Sequence, residues 1–272
     1  MINNKQNIIA SDIIDKSDLL TREWRDMYNY RMTLEYDGGR YAGWQRMGRD
    51  DNSNTVSAKI TEVLKKMTGS DVEIFCGSRT ETGVHAYGQV ANFKLDREYR
   101  AREIQNYLNR YLPQDIAVLE LEETQERFHS QLNAKSRTYV YRVDTKNIAN
   151  VFERRYMYHT FHKPDVDAMN KAAQYFLGEH DYKVFSTVKK NKSTVRNVES
   201  VDIYDDGDTL EITIKADDFL HNMARLMIGI LLDIGSGERR PEDVRKLLDG
   251  VKGVEISKPA ESYGLYLLEV EY

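Results

Sequence analysis

Gly77-Ser78-Arg79-Thr80-Glu81-Thr82-Gly83-Val84-His85-Ala86 is the stretch on which the reading of this chain turns. It leaves an apolar run, Val72–Cys76, that predicts a strand. It then enters a second predicted strand over Gly88–Leu95, where Val90, Asn92 and Lys94 alternate with Gln89, Ala91, Phe93 and Leu95. The turn between them presents Arg79 and Glu81. Taken alone, that pair reads as an exposed, solvated turn. Cys76 beside it reads as a small core residue.

Working outward, Arg31–Tyr36 predicts a strand with Met32, Leu34 and Tyr36 on one side, ended by the Asp37-Gly38-Gly39 turn. Val56–Met67 predicts a helix, with Val56, Ile60, Val63, Leu64 and Met67 on one face. A second helix spans Ala101–Tyr111 and stops before Pro113. Ile116–Leu121 and Arg137–Val143 predict strands. The second half runs similarly. Pro164 opens a helix through Phe176 that Gly178 ends, and Val195–Tyr204 and Thr209–Ala216 form a hairpin across Asp205-Asp206-Gly207. Phe219–Ile234 predicts a long helix, Glu242–Leu248 a short one, and Leu265–Val270 the last strand. The fold class is α+β: one extended, mostly antiparallel sheet with helices packed on one face. Residues 1–29 read as a polar N-terminal arm, in which Ser17 is placed to cap a helix over Asp18–Met27. Residues 30–150 and 151–272 form the two halves.

The 272 residues carry 39 Lys and Arg against 44 Asp and Glu, a net charge of −5. That balance argues mildly against a nucleic-acid partner, but the cations gather: Arg97, Arg100, Arg102 and Arg110; Lys135, Arg137 and Arg142; Lys189, Lys190, Lys192 and Arg196. Each cluster alone reads as a solvated face. The single cysteine excludes an intramolecular disulfide and fits a reducing cytoplasm. No leader-like apolar run opens the chain. Phe219–Ile234 is about sixteen residues long and holds His221, Arg225 and Asp233, too short and too charged for a membrane span of roughly twenty. Its apolar residues fall on two faces, Phe219, Leu220, Met223, Met227, Ile230 and Ile234 on one, Ile228 and Leu232 beside Arg225 on the other. A helix packed on two sides demands a partner for its arginine. No Cys and His cluster has metal-ligand spacing.

Several segments together resemble the tRNA pseudouridine synthase A (TruA) family over residues 31–272. They are Y-D-G-G-R-Y-A-G-W-Q (36–45), S-R-T-E-T-G-V-H-A-Y-G-Q-V (78–90), Y-L-N-R-Y-L-P-Q-D-I-A-V (107–118) and F-H-S-Q-L-N-A-K-S-R-T-Y-V-Y-R-V (128–143). F-L-G-E-H-D-Y (176–182), T-V-R-N-V (194–198), F-L-H-N-M-A-R-L-M-I-G (219–229) and P-A-E-S-Y-G-L-Y-L (259–267) complete the set in order. The resemblance implies the pseudouridine synthase fold: two ferredoxin-like halves in one sheet, with a cleft between them. It implies a homodimer that binds the anticodon stem-loop region of tRNA, isomerises uridine to pseudouridine near positions 38–40, and uses neither metal nor organic cofactor. Carried over residue by residue, Glu81 stands at the catalytic carboxylate, Arg225 is its ion-pair partner, Tyr139 stacks on the target base, Leu265 lies opposite, and Arg79 holds the loop and displaced RNA. Thr80, Gly83, His85 and Arg137 fall in the substrate-binding segments; for His85, packing the loop is the stronger reading of the residue itself. The family carries Asp where this chain has Glu81, and Ser78, Thr82, Gln131, Leu132 and Asp218 also depart from its pattern. Three readings follow: an isomerase using Glu81, a catalytically silent RNA-binding paralogue, and a C-nucleoside-forming isomerase on a small uridine nucleotide. The added methylene predicts slow turnover that Glu81→Asp raises.

Overall fold

The structure, a computed structural model, describes residues 27–45, 54–187 and 193–272. Alternation builds the first unit. Strand β1 (Tyr28–Tyr36) buries Tyr30, Met32, Leu34 and Tyr36 on one face. It pairs antiparallel with β3 (His85–Leu95) on one side and β4 (Ile116–Thr124) on the other. The short β2 (Ile74–Cys76) adds to β3. Helix α1 (Val56–Thr68) follows β1, and α2 (Ala101–Tyr111) joins β3 to β4. Thr55 caps α1 by accepting the Ala58 N–H, and Gly69 ends it in the left-handed region. Chain order β1-α1-β2-β3-α2-β4 with spatial order β4-β1-β3-β2 is the ferredoxin-like unit.

The second unit repeats that path. Its members are β5 (Ser136–Asp144), α3 (Val166–Ala173), β8 (Val195–Asp205), β9 (Thr209–Ala216), α4 (Met223–Gly235) and β10 (Leu265–Glu271), with spatial order β10-β5-β9-β8. Two short strands, β6 (Tyr158–His159) and β7 (Gly178–Asp181), pair with β5 and β8, and α5 (Glu242–Leu248) follows α4. By hydrogen bonding β5 belongs to this unit, so the second copy opens at Ser136, ahead of the division placed at 150/151. Strand β10 joins the halves into a 10-stranded sheet. It runs parallel to β3 at Tyr266 and Leu267 and antiparallel to β5. One continuous apolar core runs through both units.

That joint positions the loop. Strand β3 pairs with β2 at Ala91–Phe93 and with β10 at His85–Ala86. Residues 77–84, between β2 and β3, therefore emerge where the edge of one unit becomes the edge of the other. The opposite wall is α4, which starts four residues later than its apolar pattern predicts. Asn222 takes φ +65°, outside right-handed helical space, so Phe219–Asn222 form the approach and Met223 the first helical residue. Helix α3 likewise starts at Val166 under an Asp165 cap, and a 3-10 turn over Gln174–Phe176 follows it. The helix expected over Asp18–Met27 lies outside the described residues except for Met27, which precedes β1; Lys189, Lys190 and Lys192 also lie outside them.

Gly229 fixes the depth of α4. A Cβ built there would sit 2.1 Å from the Lys258 carbonyl oxygen, so only glycine lets residues 258–260 run against the helix. Gly229→Ala is expected to cost about 1–3 kcal/mol. At ~2–4 °C per kcal/mol for a chain of this size, a thermal melt should read a drop of several degrees. An unchanged melting temperature would show that the segment shifts freely.

Candidate active site

Glu81 projects from the 77–84 loop toward the start of α4. Its Oε2 lies 3.3 Å from Arg225 Nη1. Its Oε1 accepts the backbone N–H of Asn222 in a short hydrogen bond. The carboxylate and guanidinium side chains are 18% and 20% exposed, so the pair is largely withdrawn from water. Arg225 is itself held by the backbone it packs on: its Nε donates to Ala260 O at 2.7 Å, and the Ala260 N–H donates to Arg225 O at 2.9 Å. The acid thus comes from one unit and the cation from the other.

Tyr139 lies in the middle of β5 and opposite Leu267 of β10, with Leu265 diagonal to it on the same face. Leu265 and Tyr139 are both buried. Burial raises the Tyr139 pKa well above that of free tyrosine, and the Glu81 and Asp218 charges add to the rise, so the ring stays a neutral apolar plate. Phe219 meets it edge-on at 5.0 Å. The Tyr139 hydroxyl is 2.8 Å from Ser78 Oγ. Gln89 Nε2 then donates to Ser78 O at 2.6 Å, and Thr80 Oγ1 lies 2.7 Å from the buried Tyr36 hydroxyl. These bonds pin both ends of the Arg79 backbone while its side chain stays exposed and reaches Gln131 Oε1 at 3.2 Å.

Gly83 sits at φ +77°, and a Cβ there would fall 2.5 Å from Ser262 Oγ, so the loop closes directly on the turn that leads into Leu265. Arg137 is 4% exposed. It donates to Gly77 O, Gln131 O, Ala134 O and Asp217 O, which makes it the tie between the loop and the segments around it. Asp218 balances it at 3.6 Å and reaches Arg196 at the same distance. His85 is buried in β3 under Tyr266, with ring centroids 4.7 Å apart, and Nδ1 lies 3.1 Å from both Gly38 N and Asp37 Oδ1. Burial lowers its pKa despite the Asp37 charge. His85 is a packing residue. Glu81 and Arg225 meet across the seam, Tyr139 bonds the loop through Ser78 with Leu265 beside it, Thr80 is buried against Tyr36, Arg79 is exposed, and Arg137 and His85 are buried. Sequence reasoning missed Asn222; an Asn just before an apolar helical run is a helix-start signal, and here it marks the true start of α4.

A family profile described as tRNA pseudouridine synthase matches residues 32–133 and 172–272. The tRNA pseudouridine synthase A of Bacillus sp. (strain KSM-64) is 43% identical over 247 residues, 90% of this chain and 100% of the relative. The chain belongs to the tRNA pseudouridine synthase A family. Further members similar to it are tRNA pseudouridine synthase A 2 of Bacillus cereus (strain ATCC 14579), 40% identical, and tRNA pseudouridine synthase A 1 of Clostridium tetani (strain Massachusetts / E88), 39% identical; each match covers 90% of this chain and 100% of the relative. A chain of the solved Cbf5-Nop10-Gar1 complex aligns over 75% of this chain and 45% of its own length at 13% identity, with a TM-score of 0.35. The family members match this chain through both units, so the seam with its Glu81–Arg225 pair lies inside the matched region.

Arg225→Ala leaves Glu81 half-buried without its cation and breaks the tie to Ala260. A pair one-fifth exposed should cost about 1–3 kcal/mol, between the exposed and the fully buried cases. A melting curve should fall by several degrees, and a curve that does not move would rule out the pairing.

Proposed function

We propose that this chain isomerises uridine to pseudouridine in tRNA, with Glu81 as the reacting acid. The observation that carries the reading is the Glu81–Arg225 pair spanning the seam. The names of the relatives, which give tRNA as what those proteins act on, support the substrate.

The reaction breaks the N1–C1′ bond, turns the freed uracil, joins C5 to C1′, and moves a proton from C5 to N1. Nothing is oxidised or reduced, and no group is gained or lost. Glu81 serves either as nucleophile at the sugar or as a base on it; both roles need a fixed carboxylate with positive charge beside it, which Arg225 supplies. The uridine must leave its stack to reach that carboxylate. The neutral Tyr139 ring offers it a face, and Leu265 offers the apolar wall opposite. Arg79, exposed at the rim with its backbone pinned, is placed to meet the displaced RNA strand. In this reading the RNA is the anticodon stem-loop region, with the target near positions 38–40. The chain works as a homodimer in the cytoplasm. Among the described residues no helix is long and apolar enough to cross a membrane.

Unmodified tRNA incubated with the native chain should yield pseudouridine. Glu81→Gln should lower that yield by on the order of 10³-fold with tRNA affinity nearly kept, because the change removes a group that acts only on the reacting bond. Tight tRNA binding with no product from the native chain would contradict the reading and leave an RNA-binding module. Arg79→Ala should weaken tRNA binding and reduce the slope of log affinity against log salt by about one, as for the loss of one phosphate contact. An unchanged slope would place Arg79 off the RNA.

A further inference from the structure

Asn222 touches both members of the ion pair. Its backbone N–H donates to Glu81 Oε1, and its side-chain oxygen accepts from Arg225 Nη1 at 3.3 Å. Its carbonyl also accepts the Leu226 N–H at 2.9 Å, so the same residue starts α4. Among the described residues it is the one non-glycine residue with positive φ, at +65° with ψ +3°. An L-residue resists that conformation, and asparagine resists it least after glycine. The side-chain nitrogen lies 3.3 Å from Thr187 Oγ1 and 3.1 Å from His221 Nδ1, and those two atoms are 2.6 Å apart. Three side chains therefore hold a strained backbone in the one conformation that turns its N–H onto the acid.

We infer that Asn222 is the positioning residue for Glu81, its left-handed backbone presenting an N–H at the depth that a glutamate carboxylate reaches and an aspartate carboxylate does not. The two oxygens of Glu81 go to different partners, Oε1 to the Asn222 N–H and Oε2 to Arg225, which fixes both the reach and the rotation of the carboxylate. Shortening the side chain by one methylene withdraws it by about 1.5 Å. Both partners are then lost together, since each is held by backbone that cannot follow: Asn222 by the start of α4, Arg225 by Ala260. The sign of the Glu81→Asp effect expected from sequence is therefore reversed. This inference rests on Glu81 being the reacting acid.

The test uses the full chain, unmodified tRNA and single-turnover pseudouridine formation, with tRNA affinity and melting temperature measured beside it. Asn222→Gly keeps access to the left-handed backbone and its N–H but loses the side-chain anchors, so its rate should fall far less than that of Asn222→Val. Asn222→Val forbids that backbone, so its rate should fall by on the order of 10²-fold with tRNA affinity unchanged, the loss expected for a misplacement near 1 Å. Glu81→Asp should fall by a similar factor, and adding Asn222→Val to it should cost little more. Equal losses in Asn222→Gly and Asn222→Val, with Glu81→Gln inactive, would overturn the positioning role and leave Glu81 as the acid. A Glu81→Gln variant at native rate would overturn both. If Asn222→Val fails to fold, Glu81→Asp decides: a slower rate supports the inference, and an equal or faster one overturns it.

Discussion

A half-buried carboxylate must find a cation, and here it finds one only by crossing from one ferredoxin-like unit to the other. Much of the local architecture serves that crossing. Strand β10 welds the two sheets so that the 77–84 loop faces the start of α4. Gly229 lets residues 258–260 lie against α4, and Ala260 then grips Arg225 through two main-chain bonds. On the other side of the pair, Gly83 lets the loop close on Ser262.

The side chains around the 77–84 loop are wired to one another by polar contacts. Ser78 bonds the Tyr139 hydroxyl, Gln131 bonds Arg79, Asp218 faces Arg137, and Glu81 itself bonds Arg225. Each contact is polar and joins segments far apart in the chain. The acid of the loop is met by a backbone N–H at Asn222 as well as by Arg225. Arg137 shows the same economy from behind: a buried guanidinium spends its donors on carbonyls from the segments that flank the loop.

Much of this was legible in the sequence. Alternation placed β1 and β3, and the Asp205-Asp206-Gly207 turn placed the β8–β9 hairpin, because those signals are local. The two-faced apolar pattern of Phe219–Ile234 announced a buried arginine that needed a partner, and the partner is Glu81. The beginning of α4 was misplaced, because the apolar pattern already begins at Phe219, ahead of the point where Asn222 turns left-handed. The membership of β5 was hidden for a different reason: pairing across the sheet is non-local, and nothing in Ser136–Asp144 says which strand will lie beside it. His85 shows the limit of motif reading, since its place in the loop segment suggested the cleft while the pleat turned it under Tyr266.

A double-mutant cycle on Glu81→Gln and Arg225→Met, read in unfolding free energy and in single-turnover rate, probes the seam most directly. If the two side chains act as one unit, the double variant should lose little more than the worse single variant in either measure. Losses that simply add would mean that the acid and the cation work independently, and the account built on their pairing would fall.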